Sequence, residues 1–128
     1  MPASFDYAVL RVVPRVEREE FLNVGIIVFC LEKRMLTARV RLDEARLRAL
    51  WPNLDLDAVR QHVYAVERIA AGDPAAGPIA LLPQRERFHW LVAPRSTIIQ
   101  TSPVRTGIYC EGEDLPARLL DQLVLTSG

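Results

Sequence analysis

The least generic stretch of the 128-residue chain is 95–107, which reads Arg-Ser-Thr-Ile-Ile-Gln-Thr-Ser-Pro-Val-Arg-Thr-Gly. Its thirteen positions hold five hydroxyls, one amide and two guanidinium groups, together with a proline and a glycine. Hydroxyls and arginine forks can surround a phosphate or a carboxylate, and Gly107 would let backbone amides approach it. Arg95, Ser96, Thr97, Gln100, Ser102, Arg105 and Thr106 are therefore a candidate anion site. A structural use competes with this one. Ser96, Ser102 and Thr106 would bond local backbone in turns, and Arg95 and Arg105 would pair with acids of the core. Neither use places a nucleophile beside a base, so no reaction is identified.

Polar groups also interrupt the apolar first third of the chain. Arg11 breaks a run from Phe5 to Val13, and Glu19, Glu20 and Asn23 precede Val24-Gly25-Ile26-Ile27-Val28. A strand beginning at Glu19 would set Glu19, Phe21, Asn23 and Gly25 on one face, with Gly25 letting another backbone or a ligand come close. Asn23 then either recognises a ligand or bonds a neighbouring loop backbone, the commoner fate of a buried amide. Since polar groups in a core need partners, Arg11 and Asn23 are expected to meet the 95–107 segment across a sheet.

Two further constellations carry less. Cys30, His62, His89 and Cys110 are the right ligand types for zinc, but each stands alone, without the close pairs that fix two ligands together. No metal is predicted. Lys33, Arg34, Arg39, Arg41, Arg46 and Arg48 outnumber Asp43 and Glu44 and form an alternative patch for nucleic acid, although edge-strand charges that block sheet-to-sheet pairing explain them more simply. Glycine-rich phosphate loops, nucleophile elbows and paired zinc histidines are absent, so no cofactor is predicted.

The elements that must position these residues follow from periodicity. Apolar residues on both faces make 6–14 an interior strand, and β-branched content makes 20–31 the central one. Alternation of Leu36, Ala38, Val40 and Leu42 with Thr37, Arg39 and Arg41 makes 35–42 the half-buried partner in a hairpin. A helix pair fills 43–71. Asp43 caps a short helix that buries Leu47, Leu50 and Trp51 and stops at Pro52; Asp55 caps a longer one whose stripe of Leu56, Val59, Val63, Val66 and Ile69 or Ala70 ends at Gly72. The stripe is expected to pack on Leu36 and Val40. Residues 72–78 read as a surface loop without regular structure, 83–91 as a helix burying Phe88 and Leu91, and 97–101 as a short strand. Asp114 caps a last helix with Leu115, Leu119, Leu120, Leu123 and Val124 on one side. The predicted fold is α+β: a small antiparallel sheet with a β-hairpin, covered by the helix pair and a C-terminal helix.

Sixteen basic residues balance sixteen acidic ones and half the chain is apolar, which predicts a single folded domain over 1–128 that needs no disulfide or metal staple. This balance excludes a disordered tail and a generic polyanion binder, whose pI would exceed about 9. No export signal and no apolar run of about 20 residues is visible, which predicts a cytoplasmic protein without a membrane span and with Cys30 and Cys110 as free thiols.

The stretches Tyr7-Ala-Val-Leu-Arg-Val-Val-Pro, Glu20-Phe-Leu-Asn-Val-Gly-Ile-Ile and Arg87-Phe-His-Trp-Leu-Val-Ala-Pro-Arg-Ser-Thr through Gly107 resemble, in order and spacing, the bacterial family called domain of unknown function 3037. The resemblance spans most of the chain. It implies no established activity, and it implies that a histidine commonly stands where this chain has Arg105, so a family mechanism using that imidazole would fail here, arginine being no ordinary acid or base. It also implies a HipA-like kinase, encoded beside family members, as a partner. A small domain without a complete catalytic set is expected to be an accessory or protein-binding module; a binder of nucleic acid, nucleotide or anion, or an enzyme using 95–107, are the alternatives.

Overall fold

The first strand, β1 (Ala3–Val12), is apolar on both faces and lies inside the sheet. The structure, a computed structural model, describes residues 3–95, 97–109 and 112–125, the side chain of Val16 aside. β1 starts earlier than the expected 6–14 and stops before Pro14, which has no N–H to donate. Next come β2 (Leu22–Cys30) and β3 (Met35–Val40), each slightly shorter than the expected 20–31 and 35–42. Pairing fades rather than stops at the end of β3, since Arg41 N–H still donates to Val24 O at 2.7 Å.

The helix pair is α1 (Glu44–Leu50) and α2 (Leu56–Ala71); of the expected buried face of α1, Leu47 is buried and Trp51 partly so, but Leu50, at the last turn, is 50% exposed. Asp43 and Asp55 cap them as expected, accepting from Arg46 N at 3.0 Å and Ala58 N at 3.1 Å, and Gly72 ends α2 in the left-handed conformation. Segment 72–78 departs from expectation: Asp73 accepts from Ala75 N, and the prolines start two short 3-10 turns, Pro74–Ala76 and Pro78–Leu81. Then follow α3 (Gln84–Val92), β4 (Ile99–Thr101), β5 (Arg105–Tyr109) and α4 (Leu115–Leu123). Sequence reasoning missed β5, having read its first residues as part of a polar loop.

All pairings are antiparallel, in the order β3-β2-β1-β4, with β5 in line with β4 along the same side of β1. Helices cover both faces, and each face has its own apolar layer. On one, Leu10, Val12, Ile27, Phe29, Leu36 and Ala38 meet Leu47, Val59, Val63, Phe88 and Leu91 of α1, α2 and α3, with Val40 packed alongside. Leu36 and Val40 thus lie beneath the α2 stripe, as the two periodicities required. On the other, Ala3, Phe5, Ile26, Val28 and Cys30 meet Leu115, Leu119 and Leu120 of α4.

A bulge reverses one expectation. Leu10 pairs with Gly25 but Arg11 with Asn23, so Val24 is an extra residue in β2. The insertion shifts the alternation by one, and Gly25 goes to the α1–α3 face while Asn23 goes to the α4 face. The expected common face of Asn23 and Gly25 is therefore not formed, and Glu19 and Phe21 precede the strand. The close approach at Gly25 is real, though: a Cβ there would lie 2.7 Å from the backbone oxygen of Arg39 in β3.

Candidate anion site on the sheet face

Strands place polar side chains by pairing, because directly opposed residues share a face. Arg11 of β1 is flanked by Asn23 of β2 on one side and Gln100 of β4 on the other. Arg105, at the start of β5, is opposed to Tyr7. Tyr7 and Arg11 are two alternations apart on β1, so Arg105 and Arg11 project from the same face as Asn23 and Gln100. α4 packs over β2 and β3, and beyond it Arg11 and Gln100 are partly exposed and Arg105 is exposed.

No carboxylate among the described residues forms an ion pair with Arg11 or Arg105. Burial lowers the pKa of Arg11 from its ordinary value, and the positive charge of Arg105 adds to that effect. The guanidinium carbon of Arg11 lies 4.0 Å from the centroid of the Phe21 ring, a cation–π contact that holds the charge in place without neutralising it. Arg11 Nε is buried without a hydrogen-bond partner, and so is Asn23 Oδ1. Asn23 Nδ2 donates to Leu123 O at 3.0 Å and ties β2 to the end of α4, while Gln100 Nε2 donates to Thr97 O at 3.0 Å. Arg105 stands opposite Tyr7, four residues along β1 from Arg11, so the two guanidiniums share a face and feel each other's charge, and each suits a phosphate or a carboxylate. They offer no nucleophile.

The rest of the predicted set is dispersed. Arg95 closes the end of α3, donating to Leu91 O at 3.2 Å and to Trp90 O, with its guanidinium carbon 4.3 Å from the Trp90 ring centroid. That is the opposite side of the sheet from Arg105, so one site containing both arginines is not assembled; the pleat and the break at Pro103 send neighbouring residues to different faces. Thr97 donates to Ile99 O at 2.6 Å, and Thr106 donates to the Asp6 carboxylate at 2.9 Å on the α3 side. Ser102 accepts from Val9 N–H and donates to Pro103 O, a structural role. Gly107 makes room for a ring instead of an anion, since a Cβ there would lie 2.6 Å from Phe5 Cζ. Ser96 lies outside the described residues, as does Cys110.

The basic patch is broken up as well. Lys33 and Arg34 sit at the β2–β3 turn, Arg39 faces Asp114 at 3.7 Å, Arg48 faces Glu44 at 3.6 Å, and Arg41 lies near Glu67. Arg46 lines small clefts beside Asn23. Among the described residues no group of three metal-ligating side chains forms; Cys30 is a buried free thiol against Ser4 O, and His62 is exposed on α2. Sequence reasoning overlooked Phe21 as the platform for Arg11, because an aromatic next to a strand reads as core. It also overlooked a cleft of about 650 Å³ between the β1–β2 connection and the α1–α2 connection, lined by Arg15, Trp51 and Asn53, because loops distant in sequence form it.

A family model described as "Protein of unknown function (DUF3037)" matches residues 7–124, nearly the whole chain. The chain belongs to this family. No curated protein and no solved structure matched it. For DUF3037 the match spans Arg11, Asn23, Gln100 and Arg105 alike. No helix among the described residues is long and apolar enough to cross a membrane.

Proposed function

We propose that the chain is a cytoplasmic accessory module that binds a phosphate or carboxylate group of a partner protein through Arg11 and Arg105. The observation that carries the reading is that two guanidiniums share one sheet face and that no carboxylate among the described residues forms an ion pair with either. A cation left unmatched and partly desolvated has a standing affinity for an outside anion. The HipA-like kinase implied by the family resemblance is the first partner to test.

Inorganic phosphate and phosphoserine should raise the melting temperature of the wild type, because a ligand that binds only the folded state stabilises by mass action. The gain should be lost in Arg105→Gln and should shrink with added salt. Pull-down of a HipA-like kinase should show the same dependence on Arg105. A wild type that none of these anions, nor acetate, stabilises would sink the reading.

A further inference from the structure

The two sheet edges are treated differently. At β3, the Val40 N–H donates to the Glu67 carboxylate of α2, Arg39 and Arg41 supply charge, and Arg39 pairs with Asp114. These are ordinary guards against strand addition. At the far side β5 pairs with β1 alone among the described residues; Pro103 lies before it rather than in it, Arg105 at its start is its one charged residue, and Ile108 is 60% exposed. An edge with free backbone donors and acceptors and an exposed β-branched side chain is a template for another strand.

We infer that β5 accepts an extended acidic segment of a partner protein as an added antiparallel strand, with a carboxylate opposite Arg105. This rests on the anion reading above for Arg105 alone, because a strand added outside β5 lies on the side of Arg105 away from Arg11. Charge complementarity selects the occupant. β5 offers Arg, Thr, Gly, Ile and Tyr, so a second copy pairing β5 to β5 would bring no carboxylate to Arg105. Antiparallel register also sets the spacing. The residue opposite Ile108 comes three positions before the one opposite Arg105, and the two point to opposite faces, so the segment has the pattern Val/Ile-x-x-Glu/Asp.

The probe is a labelled synthetic peptide of about eight residues carrying Val-x-x-Glu in a threonine-rich background, read by fluorescence polarisation with the full chain. Binding should vanish when the amides facing β5 are N-methylated and survive when the alternate amides are. Glu→Gln in the peptide should weaken binding about two- to fivefold, and with Arg105→Gln the Glu and Gln peptides should bind alike. Ile108→Lys, at an exposed position, should abolish binding while the fold is retained. Absence of binding at about 1 mM peptide, or indifference to which amides are methylated, overturns strand addition; phosphate stabilisation that still depends on Arg105 would then leave the anion site standing. Equal binding of the Glu and Gln peptides to the wild type overturns the acidic partner. Dimerisation of the wild type that Ile108→Lys abolishes overturns it in favour of a second copy.

Discussion

Ser102 stands where a backbone carbonyl would otherwise be needed. Pro103 interrupts the strand between β4 and β5, and Val9 of β1 loses its partner there. The Ser102 hydroxyl accepts from Val9 N–H at 2.8 Å and donates to Pro103 O at 3.1 Å, while its own N–H donates to Val9 O at 2.8 Å. At 7% exposure the site is closed to easy replacement by water. Ser102→Ala should therefore cost about 1–3 kcal/mol in urea unfolding, the price of an orphaned buried donor. Thr106→Ala, at an exposed position, should stay within about 0.5 kcal/mol. A Ser102→Ala protein as stable as the wild type would remove this account of how the two short strands are joined. At the same scale, residue types alone flagged Arg11 and Asn23 as groups needing partners, and flagged Arg105 as a potential anion ligand. They said nothing of which arginine would be consumed by carbonyls, as Arg95 is.

At the scale of elements, α2 does two jobs. Its apolar stripe covers the sheet, and Glu67 at its margin caps the free N–H of Val40 on edge strand β3. Burial pushes the Glu67 carboxyl above its ordinary value, against the pull of the Val40 N–H and of Arg41. A raised folded pKa means that the native state holds this proton more tightly than the unfolded state. Stability therefore falls as pH rises from the ordinary carboxylate range through the raised value, and the contribution of this proton is fully present below that range. Glu67→Gln keeps an acceptor for Val40 and removes the titration. The stability gap between variant and wild type should thus shift in favour of glutamine as pH is raised to neutrality, measured by thermal melts across the acid range. A gap moving the other way would mean that Arg41 outweighs burial. The helices themselves were legible, because caps such as Asp43 and Asp55 and the three-to-four spacing of α2 are local signals. Strand β5 was not, because its polar exposed residues carry no alternation, and only β1 makes them a strand.

For the whole molecule, one sheet serves two apolar layers, and β1 and β2 contribute side chains to both. Leu47 on α1 and Leu115 on α4 are each fully buried, one per layer. Leu→Ala at either should cost about 2–5 kcal/mol. The shared strands should make the loss global, so in Leu115→Ala the fluorescence of Trp51, packed against the opposite layer, should report the same midpoint as circular dichroism. Separate midpoints would show that the layers unfold independently. The amino-acid sequence by itself determined the α+β class, the hairpin, the capped helix pair and the face on which Leu36 and Val40 meet Val59 and Val63, since periodicity and capping act over a few residues. Only the tertiary structure decided which polar residues share a face. Pleating, the extra residue at Val24 and the break at Pro103 each change that choice, so Arg11, Asn23 and Gln100 form one row, Arg105 joins their face further along β1, and Arg95 and Thr106 go to the other side. Register is a property of paired strands far apart in the chain, and a shift of one residue turns every later side chain over.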